Sequence, residues 1–318
     1  MSIENKTKNI SFRLIFTLFG IGAAGIAGLR IYQMFFLSED DKSGFFARIN
    51  PSVYALYFGA AVMAVLIILL VSFSNKVTAS KSFRGENKQL AAGGILMAIG
   101  MGWDVTVCTI EFIKSVASYT ASSGLIGYLF SNAQIAVLFE AVCGLFGCIY
   151  FVLYGLSYLD GKTTFYEYRF LALTPVFWVI ARVVKRFMTK ISFIVVADLM
   201  LELAMLVFAM LFMLSFARIC AQICQKREMR RAMKYGLVSA MFAFAISVSR
   251  LVAFAAGRSG AVAKGFPFNL ADLAYCAFAV LFVANSLKTG RGAEEDELIV
   301  DEDDSSDGDE IDVDFLNE

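Results

Sequence analysis

Apolar residues fill eight stretches of the chain, and the polar residues gather between them. The stretches run over about 13–36, 53–74, 90–114, 132–157, 168–188, 192–218, 235–256 and 269–287. At about 1.5 Å per residue each covers most or all of the ~30 Å of hydrocarbon in a bilayer. No stretch alternates apolar with polar residues as a half-buried strand does, and there are only three prolines. Helices are therefore the predicted element throughout. The pattern predicts an all-α, polytopic transmembrane helix bundle of about eight spans over residues 1–288. Residues 289–318 are too polar to bury a core and read as a disordered acidic tail. The first stretch follows Lys6, Lys8 and Arg13 and is long for the apolar part of a signal peptide, so it reads as an uncleaved first span.

Composition agrees. Of 318 residues 58% are hydrophobic and the mean hydropathy is +0.68, above the roughly half-apolar content of a soluble domain. The formal net charge of zero conceals a division. Residues 294–318 carry 14 acids and no Lys or Arg, so the remaining body stands at +14. Histidine is absent, which removes a His general base, His metal ligands and a Ser-His triad. The cysteines Cys108, Cys143, Cys148, Cys220, Cys224 and Cys276 lie in or beside apolar stretches. They read as small packing residues and not as a disulfide framework. No cofactor or metal is called for, and no nucleic-acid contact.

Most Lys and Arg residues fall on the cytoplasmic side if eight spans begin with the N-terminus inside, which also places the C-terminus inside. The linker with Lys226, Arg227, Arg230, Arg231 and Lys234 is then cytoplasmic, while Lys42 and Lys264 are outside. Residues 115–131 form the longest outer linker, half apolar, and could lie along the interface.

This orientation puts the charges inside the spans at one depth. Asp104 and Glu111, seven apart, share a face of the third span. Glu140 lies in the fourth, Arg182 and Lys185 in the fifth, Asp198 and Glu202 in the sixth, Arg250 in the seventh and Asp272 at the start of the eighth. Arg30 ends the first. All fall in the outer half. An unpaired charge in hydrocarbon costs at least a few kcal/mol, so these groups should face one another or water. A tight hairpin turning near 189–191 sets Arg182 level with Asp198, and Arg250 level with Glu202. Two readings follow. In one the charges are structural pairs that hold the helices together. In the other Asp104, Glu111, Glu140, Arg182, Asp198, Glu202, Arg250 and Asp272 line a polar cavity open to the outside.

Weaker signals accompany these. Gly20, Ala24 and Ala27 would let the first helix approach a neighbour closely. Pro175 and Trp178 could mark a kink and an aromatic wall. The ends "LRIYQMFF" (29–36) and "ARVVKRFM" (181–188) echo each other, as a four-plus-four duplication would leave them. An aspartic dyad of Asp104 and Asp198 would make an intramembrane hydrolase, but no glycine-flanked Asp motif accompanies either.

The segments "LRIYQMFFLSEDDKSGFF", "TPVFWVIARVVKRFM", "ADLMLELAMLVFAMLFML" and "SVSRLV" resemble a family of uncharacterised multi-pass membrane proteins of Gram-positive anaerobic bacteria. The resemblance implies a bacterial cytoplasmic membrane and carries no activity.

The sequence thus leads to a multi-pass membrane protein, not an enzyme, that binds or moves a small polar solute or ion through a charged cavity, with membrane lipids around it. The alternative is a non-transporting scaffold or sensor subunit that contacts a protein partner through its acidic tail.

Overall fold

The computed structural model describes residues 12–37, 51–73, 86–119, 127–129, 133–161, 167–188, 196–222, 225–258 and 268–288. The acidic tail, the turn at 189–191, Lys42 and Lys264 lie outside the described residues.

Among the described residues there are eight α-helices and no strands. They are α1 (Phe12–Tyr32, continued by a π-helical turn Gln33–Leu37), α2 (Pro51–Phe73), α3 (Lys88–Ala117), α4 (Gln134–Leu159), α5 (Thr174–Met188), α6 (Val196–Cys220), α7 (Gln225–Ala255) and α8 (Leu270–Lys288). Six of them, α1, α2, α3, α4, α6 and α7, are long and apolar enough to cross a membrane. The outward faces are apolar, with Phe58, Ile99, Leu145 and Leu69 exposed, as a lipid-facing surface requires.

Of the other two, α8 lies where the eighth stretch was expected, while α5 departs from the fifth. The fifth stretch was expected to be helical over 168–188. Its α-helix starts only at Thr174, after a 3-10 turn at Leu171–Leu173, and its 15 residues cover about 22 Å. Pro175 occupies the first turn, where its missing N–H costs nothing, so it starts α5 and does not kink it. Among its described side chains, 270–285, helix α8 exposes no large apolar residue, and α3 and α7 pack against it.

The basic segment 226–234, expected as a linker, belongs to α7. That helix has 31 residues, about 46 Å, and so extends beyond the hydrocarbon. Its first turns bury Glu228, Met229, Ala232 and Met233, while Arg227, Arg230, Arg231 and Lys234 stay on the other side. Buried Glu228 accepts from Arg218 at 3.2 Å and Arg231 at 2.6 Å, which ties α6 to α7 at this end.

The close-packing face of α1 is Gly22, Ala23, Ile26 and Ala27, against Met63 of α2 and Met241 of α7. Ala27 was expected on it; Gly20 and Ala24 are exposed. Continuing that face by one turn buries Arg30.

The bundle is divided along its length. At the end where α4, α6 and α8 finish, Tyr150, Phe151 and Tyr154 of α4 interlock with Phe212 and Phe216 of α6 and Phe278 and Phe282 of α8. Phe151 and Phe278 meet edge to face, with centroids 4.9 Å apart. The other end, where α1, α3, α5 and α7 finish and α2, α4, α6 and α8 begin, holds the larger set of buried charges.

Candidate functional site: a buried layer of paired charges

Each charge in this layer sits on an otherwise apolar helix face, so folding the helices together forces the charges together. Arg30 and Asp198, both 3% exposed at the side chain, meet at 2.6 Å and join α1 to α6. Arg30 also donates to Gln33 Oε1 at 3.2 Å, and Gln33 Nε2 donates to the carbonyl of Ser52 at the start of α2. Glu202 takes Arg186 of α5 at 2.5 Å and Arg250 of α7 at 3.0 Å.

Arg182 of α5 is central. It meets Asp272 of α8 at 2.7 Å and Glu140 of α4 at 3.8 Å, and its guanidinium stacks over Trp178 with 5.1 Å to the ring centroid. One turn on, Lys185 reaches Glu140 at 3.3 Å and Glu111 of α3 at 3.0 Å. Its ammonium also lies 3.9 Å from Cys108 Sγ. All eight helices thus contribute to the layer, α2 through a backbone carbonyl.

Asp104 is different. It is buried, and its two oxygens accept from neutral donors, Trp178 Nε1 at 2.8 Å and Asn269 Nδ2 at 2.7 Å. It makes no ion pair with any described Lys or Arg. Two glycines permit this arrangement. A Cβ on Gly144 of α4 would stand 2.8 Å from Val105 and 3.2 Å from Trp178, so only glycine lets the indole lie between α3 and α4. A Cβ on Gly100 would press on the backbone of Ala271, so Gly100 lets the start of α8 bring Asn269 to Asp104. Asn269 also accepts from the N–H of Ala271 and so caps α8.

The sequence-derived set assembles, with one change of partners. Glu202 and Arg250 pair as expected. Arg182 does not meet Asp198: Arg30 holds Asp198, and Arg182 turns to Asp272 and Glu140. The described part of α5 ends at Met188 and that of α6 begins at Val196, and the expected turn between them lies outside the described residues. The ion pair between these two helices is Arg186 with Glu202, which is off the predicted register. Glu111 is the outlier in burial, with a side chain 46% exposed. Asp104 and Asp198 have separate partners, so they form no dyad.

The two echoing segments have buried arginines with similar roles. Arg30 pairs with the aspartate of Ala197-Asp198-Leu199, and Arg182 with that of Ala271-Asp272-Leu273. Their helices have different neighbours, however. Helix α1 packs on α2 and α7, and α5 on α4 and α6.

Sequence reasoning passed over Arg186, Gln33, Cys108 and Asn269. For Cys108 the signal was present, since it lies four residues after Asp104 and three before Glu111, on the same helix face.

The charges are unevenly distributed. Around Glu202 two cations meet one carboxylate. Around Lys185 and Arg182 four carboxylates (Asp104, Glu111, Glu140 and Asp272) meet two cations. With all groups ionised, that second group carries two excess negative charges, one of them within the buried part once half-exposed Glu111 is set aside.

Fold and site together define a class: a multi-pass helical membrane protein with a layer of ionised side chains at one end of its bundle. No family model, no curated protein and no solved structure matches the chain.

Proposed function

We propose that this protein binds a small cation in the charged layer and moves it across a membrane. The observation that carries the reading is Asp104. It is a buried carboxylate held by two neutral N–H donors, in a group whose buried carboxylates (Asp104, Glu140 and Asp272) outnumber its cations (Arg182 and Lys185) by one. Structural pairing alone needs equal numbers. A buried excess of negative charge is costly unless a cation or protons join it. The packed aromatic rings at the other end support entry from the charged end.

The full topology belongs to the same proposal: eight crossings, both termini cytoplasmic, the charged end facing outward, in a bacterial cytoplasmic membrane. Cysteines introduced at positions 42 and 264 should react with an impermeant thiol reagent on intact cells, and those at 227 and 231 should not. The reverse pattern would invert the bundle.

Binding is tested through Trp178, whose N–H reports on Asp104. In a Trp103→Phe background Trp178 is the sole tryptophan. Its fluorescence should change saturably with at least one of sodium, calcium, manganese or cobalt, and Asp104→Asn should abolish the change. A flat response to all four would leave the layer as structural pairing. The protein would then fit the scaffold or sensor reading, in which the acidic tail contacts a partner protein.

A further inference from the structure

Three metal-ligand types converge beside Lys185. Asp104 and Cys108 lie one turn apart on α3, and Glu140 faces them from α4. All three are buried, and their ligand atoms lie within 4.8 Å of one another. Glu140 Oε2 accepts no hydrogen bond, its neighbour being the Lys185 ammonium at 3.3 Å.

We propose that Asp104, Cys108 and Glu140 form a site for a divalent transition-metal cation of the zinc and cobalt kind, with Lys185 as the built-in counter-ion that the metal displaces. The inference rests on the cation-binding reading above and names the cation.

Four features support it. First, the donor set combines a thiol with two carboxylates. Thiolate favours the softer divalent metals over calcium and magnesium, which take oxygen. Second, the spacing is close to what a metal needs. With bond lengths of about 2.0–2.3 Å, donors around a tetrahedral ion stand roughly 3.3–3.7 Å apart. The widest pair must therefore close by at most about 1 Å, within the reach of rotamer changes.

Third, Asp104 is held as a metal-bound carboxylate usually is. Trp178 and Asn269 each donate one hydrogen bond to it, and a carboxylate has about four lone-pair sites, so two remain for a ligand.

Fourth, Lys185 already marks a cation position. Its ammonium stands 3.3 Å from Glu140, 3.9 Å from Cys108 Sγ and 3.0 Å from Glu111. Glu111 is half exposed and the Lys185 side chain is 21% exposed, so this pair is at the mouth of the group. When the metal enters, Lys185 withdraws towards Glu111, which keeps its charge matched. The Cys108 thiol gives its proton to water as the metal–sulfur bond forms. A water completes the fourth position.

Cobalt(II) is the probe, because a cobalt–thiolate bond absorbs in the near ultraviolet. The purified full-length protein should take up one equivalent of cobalt and show this charge-transfer band. Cys108→Ser, a near-isosteric change, should remove the band and weaken cobalt binding by about tenfold or more, measured by equilibrium dialysis. Lys185→Met should strengthen binding, because the competing ammonium is gone. Gel filtration of each variant reports folding, and Glu140→Gln provides a second ligand test if Cys108→Ser misfolds.

Cobalt bound without the band, or a band that persists in Cys108→Ser, would overturn the metal site. If cobalt binding is still lost in Asp104→Asn, the cation reading survives. If cobalt fails to bind while sodium or calcium still shifts Trp178 fluorescence, the metal inference falls alone. If neither cobalt nor any other cation has an effect, both fall.

Discussion

Glu202→Gln should be among the most destabilising single changes in this protein, at about 3–5 kcal/mol, because it removes the carboxylate of a buried ion pair. Glu202 is 1% exposed and holds Arg186 at 2.5 Å and Arg250 at 3.0 Å. Glutamine keeps the shape but supplies no charge, so two guanidiniums lose their common carboxylate. Arg250→Gln should cost less, because Glu202 keeps Arg186. The double variant Glu202→Gln/Arg250→Gln should recover part of the Glu202→Gln loss, since the more deeply buried arginine is then gone as well. Recovery stays partial, as Arg186 still faces the glutamine. Reversible unfolding in mixed micelles, followed by circular dichroism, measures all three. Strictly additive losses would mean that Glu202 and Arg250 do not share an ion pair in the folded protein.

The sequence was enough to locate this layer, but of its two expected pairs only Glu202 with Arg250 is found. Its depth was legible because charges stand out on apolar helices. The positions of Arg30, Asp104, Glu140, Arg182, Asp198, Glu202, Arg250 and Asp272 relative to the span ends put them at one end of the bundle, where they are found. Partners depend on helix order and rotation, and these are set by features with little sequence signal. Arg186, and not Arg182, makes the ion pair to α6. Gly144 and Gly100, unremarkable among 24 glycines, decide that Trp178 and Asn269 reach Asp104.

Helix positions were legible as well: each of the eight apolar stretches contains an α-helix among the described residues, and six of these are long and apolar enough to cross a membrane. The boundaries were less so. The start of α7 was obscured because the basic run 226–234 looks like a linker, while Met229, Ala232 and Met233 bury one side of it. The start of α5 was obscured because Leu171–Leu173 is apolar but winds as a 3-10 turn ahead of Pro175.

The excess of carboxylates over cations also explains why the two initial readings of the charges need not exclude each other. Arg30–Asp198 and the Glu202 group carry equal charges or an excess of cations and hold α1, α5, α6 and α7 together. The Asp104 group carries the excess of acids. On the proposed reading, the satisfied pairs keep the helices in register and the under-neutralised group exchanges its counter-ion.

The central claim is that the Asp104 group carries a cation across the membrane, and flux through the reconstituted protein tests it most directly. Proteoliposomes loaded with a fluorescent cation indicator should take up manganese or cobalt faster than protein-free liposomes. Asp104→Asn, which keeps the side-chain shape and removes the charge, should lower that uptake by at least about tenfold while the protein still elutes as a single folded species. Uptake by Asp104→Asn equal to wild type, or no uptake by wild type above protein-free liposomes, would contradict the account.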